Sequence, residues 1–249
     1  MIALSVNINK VALIRNSRPG NNPDLVDYAL RCIQVGAQGI TVHPRPDQRH
    51  IRAQDCLALK QAIDVEFNIE GNPFAGYTVS NRADVNDYPG FMEIVRQTLP
   101  EQCTLVPDSN NQLTSDHGFD LKKGCNGLQD IITELKGLGC RVSLFMGTDH
   151  EQLELAQQIG ADRVEFYTGP YAESENLEES FLLYKKAAEH ALEQDLEINA
   201  GHDLNLHNLP IFSKLPGLKE VSIGHALTVD ALHLGLELTM HKYLEALKT

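Results

Sequence analysis

Six short β-branched runs in this chain carry, at or near their ends, a side chain able to move a proton or hold an anion. They are LSVNI with Asn7, ITVH with His43, VEFNIE with Glu70, RVEFYTG with Glu165 and Thr168, EINAGH with His202 and EVSIGH with His225. Imidazole and carboxyl groups titrate near neutrality when their surroundings push them there, so His43, Glu70 and His202 together suit stepwise proton transfer. A single strand-end histidine is commonly a structural one. Three acid–base groups on three runs, joined by Glu165 and His225, point to an enzyme.

Positive charge gathers in the segments that follow the first two runs. Arg15 and Arg18 follow the first, and Arg45, Arg49, His50 and Arg52 follow the second, in a chain of net charge −13. Local cations in an acidic protein point to small anionic ligands rather than to nucleic acid or a membrane surface. The SIGHALT segment adds Gly224 and His225 where backbone amides can open toward an anion at a helix start, and AGHDL offers a similar turn. Metal chemistry is poorly supported, because H-x-H and H-E-x-x-H are absent and Arg45 follows His43 by two residues. Lys10 is the one strand-end lysine, and it suits an anion contact better than a Schiff base.

These groups lie far apart in sequence and need a scaffold that brings strand ends together. Strand-like runs fall near residues 3–8, 39–43, 65–70, 103–106, 141–145, 163–167, 196–200 and 220–223, with helix-like segments between them. Eight alternations predict an α/β protein, a closed (β/α)₈ TIM barrel, whose C-terminal mouth collects the polar residues. An open dinucleotide-binding sheet lacks its G-x-G-x-x-G after the first strand. In PDLVDYALRCIQVG, Asn22 is a candidate cap, Pro23 a first helical residue and Gly36 the stop. LEESFLLYKKAAEHALEQ and LTVDALHLGLELTMHKYLEALK read as later helices. Residues 71–90 and 107–125 break the rhythm and are expected to decorate the mouth as long loops.

A length of 249 residues suits one barrel domain spanning 1–249. Cys32, Cys56, Cys103, Cys125 and Cys140 are odd in number and scattered, as reduced buried thiols are. The start MIALSVNINK has no basic-then-apolar leader, and no run reaches membrane length, so a cytoplasmic protein is expected.

The chain resembles the pyridoxine 5′-phosphate synthase family of the deoxyxylulose-phosphate-dependent vitamin B6 pathway. The resemblance runs from VNINKVALIRNSR through GAQGITVHPRPDQRHI, FNIE, TLVPD, LTSDHG, RVEFYTGPYA and INAGHDLNLHN to VSIGHAL, essentially the whole chain. It implies a TIM-barrel transferase of pyridoxine biosynthesis, a homo-octamer that needs no metal or organic cofactor. Its reaction joins 1-deoxy-D-xylulose 5-phosphate and 3-amino-2-oxopropyl phosphate into pyridoxine 5′-phosphate, phosphate and water. By the same resemblance His43 and Glu70 are proton acceptors, His202 is the proton donor, and Glu165 stabilises the transition state. Asn7, Arg18, Gly224 and His225 fall on contacts to the aminooxopropyl phosphate, and Arg45, His50 and Thr114 on contacts to the sugar phosphate. Asn9, Lys10 and Asp203 stand at substrate-binding positions but differ from the commoner residues there. The family's usual H-L-R-E-D is His43-Pro44-Arg45-Pro46-Asp47 here, and its E-M-A-V is Glu70-Gly71-Asn72-Pro73. Two other functions fit the same mouth: a sugar-phosphate isomerase or epimerase, and a phosphate-binding barrel without turnover.

Overall fold

Short runs buried on both faces become parallel strands when helices cover one side and a closed interior the other. Gly39–Val42 is buried at every position and Arg163–Tyr167 at all but the last. The computed structural model describes residues 1–109, 112–124 and 126–248. Its strands are β1 (Ala3–Asn7), β2 (Gly39–Val42), β3 (Glu66–Gly71), β4 (Gln102–Leu105), β5 (Arg141–Met146), β6 (Arg163–Tyr167), β7 (Glu197–Gly201) and β8 (Leu218–Ile223). Each pairs in parallel with its sequence neighbour, and β8 pairs with β1 to close the barrel. The expected (β/α)₈ barrel is the fold.

The outer helices are α2 (Leu25–Gln34), α3 (Ala53–Ala62), α4 (Phe91–Thr98), α5 (Leu128–Gly137), α6 (His150–Gln158), α8 (Leu177–Glu193) and α10 (His225–Leu234). Extra helices decorate the scaffold: α1 (Asn9–Asn16) directly after β1, α7 (Gly169–Ala172) after β6, α9 (Leu209–Phe212) after β7, and α11 (Leu236–Ala246) at the end. Leu25, Ala29 and Cys32 are the buried residues of α2, spaced to share one face.

Local details differ from the sequence expectation. The cap of α2 is Asp24, whose carboxylate accepts from the N–H groups of Val26 and Asp27 at 2.9 and 3.0 Å, so Asn22 and Pro23 lie outside the helix. An N-cap carboxylate is worth about 1 kcal/mol. The final helical stretch is two helices, because Gly235 at φ 80°, ψ 153° leaves helical space. Residues 71–90 hold a lone antiparallel bridge between Thr78 and Tyr88, which buries the Tyr88 ring. The four described cysteines are buried and free, and Cys125 lies outside the described residues.

The barrel interior is polar. Ser5 and Thr41 share a hydrogen bond of 2.7 Å, Asn68 donates to Thr41 at 3.3 Å, and Thr104 donates to Asn68 at 3.1 Å. Toward the N-terminal end, Arg163 donates to Gln102 and Glu197 and lies 3.8 Å from Glu220. An unpaired charge there would cost several kcal/mol, so these ions occur as a paired group. Burial pushes the Glu220 carboxyl up to about 8. Among the described residues, no helix is long and apolar enough to cross a membrane.

Candidate active site

A cavity of about 350 Å³ opens at the C-terminal mouth, and His43, Glu70, Glu165 and His202 all line it. The barrel register brings them there. β2 hands the chain to His43, β3 carries Glu70 as its penultimate residue, β6 carries Glu165 at its midpoint, and His202 directly follows β7. His43 and His202, 159 positions apart in sequence, therefore line one cavity.

Glu70 is buried beside His43, with Oε2 3.7 Å from Nδ1. Asn7 donates to the same oxygen and Ser222 to the other, each at 3.4 Å. Burial is the main force on this carboxyl and raises it to about 7, against the Ser222 hydrogen bond. A carboxyl poised there exchanges protons readily at neutral pH. His43 is driven the other way, down to about 4, first by burial and then by the Arg45 guanidinium, while Asp108 opposes both. Its imidazole is therefore neutral near pH 7.

Deeper in, Glu165 accepts from Thr104 at 3.3 Å. Burial, and then the charge of Glu70, hold its carboxyl well above the usual range. That pressure favours a protonated, hydrogen-bond-donating carboxyl over the anion. Gly201 makes room for it: a Cβ at that position would stand 2.2 Å from Glu165 Oε1.

His202 has φ 87° and Asp203 φ 57°, a left-handed pair that non-glycine residues seldom adopt. The chain is held in that shape by Thr168, which donates to the His202 carbonyl, and by Asn208, which donates to the Asp203 carbonyl at 3.1 Å. Strain so tightly held is typical of a working side chain. His202 Nε2 meets the Thr114 hydroxyl at 2.9 Å, while Nδ1 lies 2.6 Å from Asp203 Oδ2 in a contact too bent to count as a hydrogen bond. The histidine beside it holds the Asp203 carboxyl below its usual range.

Two features whose chemistry suits an anion flank β1. After β2, Arg45, Arg49 and His50 line the cavity; after β8, Gly224 and His225 open α10, whose first turn has no side-chain cap. Lys10 lies between them and also lines the cavity. The Ile51 N–H donates to His50 Nδ1 at 2.9 Å, leaving Nε2 as the donor, and burial depresses the pKa of this ring well below the usual value. Asn9 accepts from the His43 backbone N–H at 2.9 Å and so fixes the end of β2. Among the described residues, no group of three His, Cys, Asp or Glu side chains gathers as a metal ion requires.

The family model described as "Pyridoxal phosphate biosynthesis protein PdxJ" matches residues 4–249. The chain belongs to the PdxJ family. A pyridoxine 5′-phosphate synthase of Xanthomonas axonopodis pv. citri is 51% identical over 99% of this chain and 96% of its own length. One from Porphyromonas gingivalis is 46% identical over 99% of each. Among solved structures, the thiamine phosphate pyrophosphorylase of Pyrococcus furiosus superposes with a TM-score of 0.60 at 11% identity, covering 99% of this chain and 96% of that one. That likeness concerns the barrel alone.

Of the PdxJ-family positions singled out from sequence, Asn7, Asn9, Lys10, Arg45, His50, Thr114, Asp203, Gly224 and His225 join the acid–base residues around the cavity. Arg18 does not: it is exposed, just beyond the end of α1. Arg15 is no mouth residue either. It is buried and makes a two-pronged pair with Asp55 at 2.7 and 2.9 Å, and Arg52 caps the same cluster through Asn16. Sequence reasoning passed over Asp108, Ser222 and Thr104, whereas Arg49, noted in the basic cluster after the second strand, does line the cavity. Asp108 stands at the end of TLVPD, three residues past β4, and a carboxylate so close to a strand end is the signal that would have found it.

Proposed function

We infer that this protein condenses 1-deoxy-D-xylulose 5-phosphate with 3-amino-2-oxopropyl phosphate, giving pyridoxine 5′-phosphate, phosphate and water by acid–base catalysis. The observation that carries it is the pairing of Glu70 and His43 in a buried cavity with anion-holding features on both sides of β1. Two phosphorylated substrates need two such features. Ring formation needs repeated proton transfers, and a carboxyl at about 7 can serve as acceptor and then as donor.

In this scheme Arg45 and His50 hold the sugar phosphate, with Thr114 beside them. Guanidinium and a neutral N–H donor both suit phosphate oxygens. Gly224, His225 and Asn7 hold the aminooxopropyl phosphate against the free amides of α10, with Lys10 as a further cation. Glu70, assisted by His43, takes protons from carbon as the ring closes. His202 gives a proton to the departing hydroxyl so that it leaves as water. Glu165, kept protonated, donates to oxygen where negative charge develops. The amine arrives on a substrate, so neither a catalytic lysine nor a metal is called for. We place the enzyme in the cytoplasm as a homo-octamer.

The test is a discontinuous assay of purified, chelator-treated protein with both phosphates. Pyridoxine 5′-phosphate and released phosphate should appear with both substrates and with neither alone. Turnover of the sugar phosphate without the amine would instead mark an isomerase or epimerase, and binding without product a non-catalytic barrel.

A further inference from the structure

The His43 ring lies between two carboxylates, and only one of them belongs to the scheme above. Nδ1 faces Glu70 Oε2 at 3.7 Å, and Nε2 faces Asp108 Oδ2 at 3.4 Å. Contacts of this length commonly tighten once a substrate is seated. Near pH 7 the imidazole is neutral and has one N–H for two acceptors, so which carboxylate receives it decides which nitrogen is left as the base.

Asp108 is built to win that proton. Its side chain is 5% exposed, and Oδ2 also accepts from Arg45 and, at 3.0 Å, from Ser115. Asn72 donates to its backbone carbonyl at 2.7 Å, which pins the turn after β4. The second oxygen, Oδ1, is buried with no hydrogen-bond partner. A buried carboxylate with so much fixed around it stays in one orientation. Glu70, in contrast, spends part of its time protonated and is then no acceptor for the ring.

We propose that Asp108 is a positioning residue that fixes the His43 imidazole in its Nε2–H tautomer and so keeps the Nδ1 lone pair facing Glu70. It touches no reacting atom. Protons then enter and leave His43 at Nδ1, on the Glu70 side, and the Asp108 carboxylate stabilises the imidazolium that forms transiently. The proposal rests on the assignment of His43 and Glu70 as the acid–base pair.

Nitrogen-15 NMR of histidine-labelled full-length protein at pH 7 reads the tautomer directly and needs no turnover, so it stands apart from the synthase assay. His43→Gln identifies the resonances. The expected wild-type signal is the Nε2–H form, moving toward Nδ1–H in Asp108→Asn as the Glu70 side gains the proton. The same variant should lose roughly 10²-fold in kcat, the lower end of what a misplaced general base costs, with KM for either substrate changed less than about threefold. Asp108→Glu, which keeps the carboxylate, should restore the tautomer and most of the rate. An Nδ1–H wild type overturns the proposal whether or not the asparagine variant folds. So does an Asp108→Asn protein that keeps the Nε2–H form, or one that raises KM at constant kcat, the mark of a tether for Arg45 and its loop.

Discussion

At the scale of single residues, burial decides the chemistry. Glu70 and His43 lie within 3.7 Å of each other, yet removal from water pushes the carboxyl up to about 7 and the imidazole down to about 4. Replacing Glu70 with Gln, or His43 with Asn, should lower kcat by about 10²–10⁴-fold in the condensation assay, since a positioned base contributes that much. The same shift also sets a stability cost. Between pH 4.5 and about 7 the folded state binds the Glu70 proton more tightly than the unfolded chain does, so stability falls as pH rises through that window. Glu70→Gln escapes this. Its advantage over wild type in urea unfolding should grow from nothing near pH 4.5 to as much as about 3 kcal/mol above pH 7. The residue types were legible in sequence, because strand ends carrying His and Glu have little structural reason to do so. The direction of each shift was not, since it depends on which atoms exclude water. Asp108 was hidden for the same cause: its meaning is its distance to His43, 65 residues earlier in the chain.

At the scale of elements, the mouth is held from outside by buried pairs and from within by close backbone approach. Arg15 on α1 and Asp55 on α3 form a two-pronged buried pair, and Arg15 also donates to the His50 carbonyl at 3.0 Å. Asp55→Ala would strand that guanidinium. A loss of about 3–5 kcal/mol is expected in chemical denaturation, the usual cost of an orphaned buried charge. β6 and β7 meet where Glu165 presses on Gly201, and a methyl group there has nowhere to go. Gly201→Ala should therefore displace the carboxyl and cut kcat while far-UV circular dichroism stays unchanged. Sequence placed every strand to within two residues, because alternation of buried runs with helical stretches survives any packing detail. It misplaced the α2 cap and missed the break at Gly235, which turn on local dihedral angles.

At the scale of the whole molecule, the barrel turns eight separated strand ends into one cavity, and its outer surface bears on assembly. Ile14 on α1, Val229, Leu232 and Leu234 on α10, and Leu238 on α11 are exposed, and α10 packs beside both of the other helices. Leu232, 73% exposed, contributes little to a lone subunit. If the protein is an octamer, Leu232→Glu should sediment as a smaller species with unchanged circular dichroism; unchanged sedimentation would place any interface elsewhere. The amino-acid sequence by itself determined the alternation of strands and helices, the closed barrel that follows from eight such units, and which titratable side chains stand at the strand ends, because these are written in residue type and local spacing. Only the tertiary structure decided that Arg15 is a buried strut while Arg45 faces the cavity, that Glu70 and Glu165 are driven toward their protonated forms, and that Asp108 joins His43. Those properties depend on solvent exclusion and on distances across the barrel, and neither exists until the chain has closed.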